Sequence, residues 1–180
     1  PNVVHTVFSN VYDQVIVAIS ASKAFNLAGL QTAALVVSDE KLNQKLRITQ
    51  AKRGLHTLNA IGPLATMIAF NDAEDWLDEF NLHIYNNHQY LKNYLETHLP
   101  NIRVAQLEGS YLQWIDFRDL MKDDSNFDVF LDEYLQMDLD PGELFGGDST
   151  FCIRLNIAVS RGVLEAACQR VVDAVESGQF

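Results

Sequence analysis

The run Ser20-Ala21-Ser22-Lys23-Ala24-Phe25-Asn26-Leu27-Ala28-Gly29-Leu30 decides how the first part of this chain is read. It follows an apolar stretch, Val15 to Ile19, with the composition of a buried strand. Two hydroxyls, one amine and then small residues with a glycine end that strand. A lysine so placed stands at a strand end, not on a solvated helix face. Burial disfavours the charged form of a lysine and frees the neutral amine as a nucleophile. Such an amine can form a Schiff base with an aldehyde. The plainer alternative is a structural lysine, since most lysines are surface charges.

Working outward, Val11 to Ile19 reads as one strand and Thr32 to Val37, rich in β-branched residues, as a second. Continuous apolar runs predict strands covered on both faces, as in an α/β sheet. Ser38 and Asp39 offer a cap to a polar-faced helix over Glu40 to Lys52, ended by Gly54. Thr57 to Phe70 is apolar nearly all round, which predicts a buried helix that Pro63 starts or kinks. Asp72-Ala73-Glu74-Asp75 opens a long amphipathic helix to about His98, with Trp76, Phe80, Ile84, Leu91 and Leu95 on its inner face and Pro100 closing it. His83, His88 and His98 on this helix read as mostly exposed.

Beyond Pro100 the pattern alternates. Arg103-Val104-Ala105 and Tyr111 to Phe117 read as antiparallel strands, and Phe151 to Ala158 as another. Ser125 is placed to cap a short helix, Phe127 to Leu135, and Ser160 the last helix, Val163 to Val175. Helices over one face of an antiparallel sheet make an α+β domain.

The chain has 180 residues, 48% of them hydrophobic, enough for one good core or two small ones. No apolar run approaches the ~20 residues needed to cross a bilayer, and no signal peptide is visible. The start, Pro1-Asn2-Val3-Val4-His5, lacks an initiator methionine, so the chain reads as a piece of something longer. A net charge of −11 argues against a nucleic-acid partner, which needs clustered Lys and Arg. Cys152 and Cys168 lie in apolar surroundings and read as reduced core residues of a cytoplasmic protein. No ligand spacing points to a metal.

Two further clusters bear on chemistry. Gly109-Ser110-Tyr111-Leu112-Gln113-Trp114-Ile115-Asp116-Phe117-Arg118 reads by itself as a half-buried strand with core aromatics. Phe145-Gly146-Gly147-Asp148-Ser149-Thr150-Phe151-Cys152-Ile153-Arg154-Leu155-Asn156-Ile157-Ala158 puts an arginine inside an apolar strand. Arg154 therefore needs a partner, because an unpaired buried charge is costly. That partner is either an internal Asp or Glu, or the carboxylate of a ligand, which the planar guanidinium grips with two parallel bonds. The glycines ahead of it suit a loop that approaches a ligand closely.

Together these stretches resemble the fold-type I pyridoxal-phosphate enzymes of the class I/II aminotransferase superfamily. "SKAFNLAGLQT" at 22–32 resembles the lysine signature of its carbon–sulfur β-lyase branch, the bacterial cystathionine β-lyases. "GSYLQWIDFR" at 109–118 and "FCIRLNIA" at 151–158 resemble that branch's "GTYLxWLDFR" and "FxRLNIA" strands. His5-Thr6-Val7-Phe8 resembles its "HxPF" stretch, with Val7 in place of proline.

The resemblance implies an α/β fold: residues 1–70 as the end of the cofactor-binding large domain, and 71–180 as an interdomain helix with an α+β small domain and an antiparallel sheet. It implies pyridoxal 5'-phosphate bound through Lys23, a phosphate contact from Ser20 with a neighbouring polar contact from Ser22, and substrate carboxylate capture by Arg154. Asn26 and Gly29 would only shape the loop. Many aminotransferases of the superfamily carry an arginine eight residues after the lysine, where this chain has Gln31, as the β-lyase branch commonly does.

The implied partners are a small amino-acid substrate and, in the full-length enzyme, a second copy in a cytoplasmic homodimer, with no nucleic acid or membrane. The implied reaction is β-elimination at sulfur amino acids. A standard aminotransferase and a non-catalytic domain retaining the fold are the alternatives. Because the family's sites take groups from the preceding half and from a second subunit, the 180-residue piece alone is expected to turn over nothing.

Overall fold

The structure, a computed structural model, describes residues 7–55, 58–121 and 127–178. His5, the expected helix start at Thr57 and the expected cap Ser125 lie outside the described residues. The chain forms two compact units, Pro1–Glu79 and Phe80–Phe180.

In the first unit, β1 (Ile16–Ile19) pairs antiparallel with β2 (Ala34–Val37), Ile16 opposite Val37 and Ile19 opposite Ala34. Both strands are shorter than the sequence predicted. Upstream, a turn at Phe8–Asn10 takes the Val11 and Tyr12 amides onto the Phe8 carbonyl. Burial of these strands is not found: Ile16, Ile19, Leu35 and Val36 are all exposed. A continuous apolar run records what a strand can bury, and the two strands here have only each other as sheet neighbours among the described residues.

Helix α1 (Glu40–Lys52) has the predicted bounds, with the Asp39 carboxylate accepting the Leu42 amide at 2.6 Å. Helix α2 (Ile61–Asp72) starts where the Asn59 side chain accepts the Gly62 amide at 2.6 Å, and Pro63 falls harmlessly in its first turn. The predicted burial of this helix also fails. Only Gly62 and Ala69 are buried, and Ile61, Leu64, Met67, Ile68 and Phe70 stand exposed.

Helix α3 (Glu74–His98) begins in the first unit and supplies the second with its inner face. Ile84, Leu91 and Leu95 are buried, Phe80 is partly buried, and Trp76 is exposed, against expectation. They join β3 (Arg103–Val104), β4 (Leu112–Asp116), α4 (Phe127–Val129), a π-helix continuing it over Phe130–Leu135, β5 (Asp140–Pro141), β6 (Cys152–Asn156) and α5 (Arg161–Ser177). The four strands form an antiparallel sheet in the order β3-β4-β6-β5. Val104, Ile115, Ile153 and Leu155 meet Leu91 and Leu95 of α3, Phe130 of the π-helix and Leu164, Cys168 and Val171 of α5 in one core. Ser160 sits at the N-cap of α5 in extended conformation, but its hydroxyl makes no capping bond.

The expectation that the helix histidines are exposed fails at His88, which is fully buried. It lies on the same stripe as Ile84, Leu91 and Leu95, and helical spacing carries it inward with them. Gln113 Nε2 donates to the Ala105 and Trp114 carbonyls, at 2.7 and 3.0 Å, which leaves its Oε1 to accept. His88 Nδ1, 2.7 Å from that oxygen, therefore carries the ring proton.

Both cysteines are free and buried. Burial pushes the Cys168 thiol from 9.0 up to about 12, and it raises Cys152 as well. The folded chain thus holds these protons at pH values where the unfolded chain has lost them. Stability falls as pH climbs from about 9 toward 12, by at most about 1.4 kcal/mol per pH unit per thiol. Urea midpoints across that range check this, and Cys168→Ala should flatten the slope.

Candidate active site

Lys23 stands in a turn directly after β1, with the Phe25 amide bonded to the Ala21 carbonyl and the Leu27 amide to the Ser22 carbonyl. The turn is pinned from three sides. Ser20 Oγ donates to the Thr32 carbonyl at 2.9 Å, tying the strand end to the returning limb. The Leu30 carbonyl accepts from Thr32 Oγ1 and from Asn59 Nδ2, at 2.9 and 2.7 Å. Phe25 packs on Phe70 and Trp76, with ring centroids 5.6 and 6.0 Å apart. Asn26 and Gln31 both take left-handed backbone conformation. Asn is among the non-glycine residues that tolerate it best.

Lys23 is exposed, not buried as the sequence suggested, and its amine has no hydrogen-bond or ion-pair partner among the described residues. Ser20 and Ser22, just ahead of it in the chain, do come together, their hydroxyls 2.6 Å apart and the Ser22 amide 3.1 Å from Ser20 Oγ. Ser20 has one proton and gives it to Thr32, so Ser22 donates to Ser20. Only the Ser22 hydroxyl can turn outward to an anion without loosening the tie between the two limbs.

Arg154 belongs to the second unit. On β6 it faces away from the helices, between Trp114 of β4 and Asp140 of β5 in register. Asp140 Oδ2 accepts from Arg154 Nε at 3.0 Å and from Nη2 at 2.8 Å. The guanidinium lies over the Phe145 ring, 4.4 Å from its centroid, and Trp114 meets Phe145 edge-on at 5.6 Å. The internal partner foreseen as one alternative is thus present, yet Nη1 makes no bond within the described residues. Arg118 secures the loop ahead of β6, binding the Asp116 carboxylate, the Asp148 carboxylate and the Asp148 carbonyl.

Neither Asp140 nor Asn59 stands out in the sequence. Asp140 is 14 residues from Arg154 and carries no motif; only the strand register makes them neighbours. No group of three or more His, Cys, Asp or Glu among the described residues could hold a metal. No described helix is long and apolar enough to cross a membrane.

Three motifs in one order, on this arrangement of strands and helices, define a class. Residues 3–171 match the family described as aminotransferase class I and II, and the chain belongs to that family. Among curated proteins it is similar to cystathionine beta-lyase PatB of Bacillus subtilis, 29% identical over 95% of this chain and 45% of that protein. Among solved structures it is similar to cystalysin from Treponema denticola, which contains a pyridoxal 5'-phosphate cofactor (TM-score 0.89, 28% identity, 99% of this chain and 46% of that one). It is also similar to the pyridoxal-phosphate-bound C-S lyase from Staphylococcus hominis (TM-score 0.84, 29% identity, 96% and 45%). The chain thus spans less than half the length of these relatives.

Proposed function

We propose that the protein to which this chain belongs is a pyridoxal-phosphate-dependent carbon–sulfur β-lyase acting on cystathionine-type amino acids. The observation that carries the reading is a lysine amine with no hydrogen-bond or ion-pair partner among the described residues, in the turn that the bonded Ser20 and Ser22 hydroxyls open after β1. In this reading 1–70 is the end of the cofactor-binding domain and 71–180 an interdomain helix with the small domain. The residues present fit the cofactor by their chemistry. Lys23 is the attachment point for its aldehyde, Ser22 donates to its phosphate, and Ser20 holds Ser22 in place. Gln31 offers the phosphate side a neutral amide in place of a fixed cation.

Bound pyridoxal phosphate supplies an electron sink for the pair left when the substrate Cα loses its proton. This chain's residues do the rest. Arg154 fixes the substrate through its α-carboxylate. Lys23 takes the Cα proton at Nζ. With a thioether sulfur on Cβ, the Cβ–S bond breaks and the sulfur leaves as thiolate, which takes up a proton; one water then hydrolyses the unsaturated product, giving thiol, pyruvate and ammonia overall.

Without a leaving group, the same proton movement ends in amino transfer to a 2-oxo acid. That second reading is favoured by the breadth of the family. Steady-state pyruvate release from L-cystathionine, measured against keto-acid exchange in the full-length protein, separates them: exchange exceeding pyruvate release sinks the lyase reading. Arg154→Ala should raise KM for L-cystathionine by ~10²-fold or more, the cost of losing a bidentate charge contact.

We also place the protein in the cytoplasm as a homodimer. Two unpaired buried thiols support a reducing compartment. The exposed apolar residues of β1, β2 and α2 support assembly with further protein surface.

A further inference from the structure

We propose that Asp140 is the positioning residue that sets how Arg154 receives a carboxylate. This rests on the substrate-binding reading of Arg154 and adds a residue to it. A guanidinium can grip a carboxylate with two parallel bonds along its side edge, Nε with Nη2, or along its end edge, Nη1 with Nη2. Asp140 Oδ2 occupies the side edge, at 3.0 and 2.8 Å. The Phe145 ring covers one face of the plane at 4.4 Å, and Trp114 buttresses that ring. The end edge remains: Nη1 has no partner within the described residues, and Nη2 keeps its second proton.

The pair is poorly suited to a purely stabilising role. The Arg154 and Asp140 side chains are 32% and 46% exposed, and ion pairs that open to water contribute little to folding. What the pair does accomplish is to remove rotamer freedom from a long side chain before a ligand arrives, which lowers the ordering cost of binding. Asp140 is itself fixed, since it begins β5 opposite Arg154 and Pro141 follows it. A substrate carboxylate therefore docks end-on, in a direction fixed by the sheet.

The test compares Asp140→Ala, Asp140→Asn and Arg154→Ala with the parent in the full-length, cofactor-loaded protein. KM and kcat are measured for L-cystathionine, and the dissociation constant of L-alanine is measured by calorimetry. Alanine carries the same α-carboxylate and no leaving group, so the second readout is free of the elimination step. Asp140→Ala should weaken both KM and alanine binding about 10-fold or more, with kcat within about threefold. Asp140→Asn should recover most of the loss, because its Oδ1 still accepts from Nε and Nη2. An Asp140→Ala variant with unchanged or tighter alanine binding, beside a weakened Arg154→Ala, overturns the positioning role; Asp140 would then be idle or a competitor for the site. If Arg154→Ala itself binds and turns over like the parent, the substrate-binding reading falls and takes this inference with it.

Discussion

Lys23→Ala in the full-length protein should abolish the visible absorbance of a lysine-bound cofactor and reduce lyase turnover by at least ~10²–10⁴-fold, the usual contribution of a positioned proton-transfer group. The loss should be purely chemical. Lys23 is exposed and without an ion-pair partner among the described residues, so truncating it removes no ion pair or hydrogen bond within them. The thermal midpoint without cofactor should therefore stay within about 1 °C of the parent, as for an isolated surface change. Borohydride reduction of the loaded parent followed by peptide mass analysis should find the adduct on the peptide bearing Lys23. An adduct on another lysine moves the site elsewhere, and no adduct at all returns the chain to the non-catalytic alternative.

Gly142→Ala should produce the largest loss of stability among single-methyl additions in the second unit. A Cβ at Gly142 would lie 2.2 Å from the Ser149 carbonyl oxygen, 2.8 Å from Cys152 Cβ and 2.8 Å from the Cys152 carbonyl oxygen. Two of these three neighbours are backbone, and the third begins a buried side chain on β6, so none can swing aside. The Ser149 hydroxyl also bonds the Gly142 and Gly146 carbonyls, at 2.9 and 2.7 Å, and draws the loop tight where the methyl would enter. Overpacking of this kind costs about 1–3 kcal/mol and more where backbone must move. Because Gly142 directly follows β5, relief of the clash would disturb the strand that carries Asp140. The measurement is a urea unfolding midpoint. A midpoint equal to the parent's would show that the loop opens freely there, and that Asp140 is less firmly held than the strand pairing indicates.

What could be read in advance was local. Asp39 and the polar periodicity after it were enough to bound α1, because a cap and an i to i+4 pattern lie within a few residues of each other. The same holds for α3 and for the alternation in β4 and β6. His88 is the instructive case: its spacing from Ile84 and Leu91 already placed it on the inner stripe, and grouping it with the other histidines by residue type hid that signal. The Lys23 loop was legible as a motif, because the order of hydroxyl, amine and aromatic is itself a local fact.

The sequence by itself determined the class of fold, the helix and strand identities, and the chemical groups on offer: an amine, a hydroxyl pair and a guanidinium. Only the tertiary structure decided their surroundings. It left Lys23 in solvent, gave Arg154 a carboxylate from a neighbouring strand, and left β1, β2 and α2 largely uncovered. The physical reason is that burial and ion pairing depend on which elements become neighbours. Strand register sets that across many residues of chain, and no spacing within a single element encodes it.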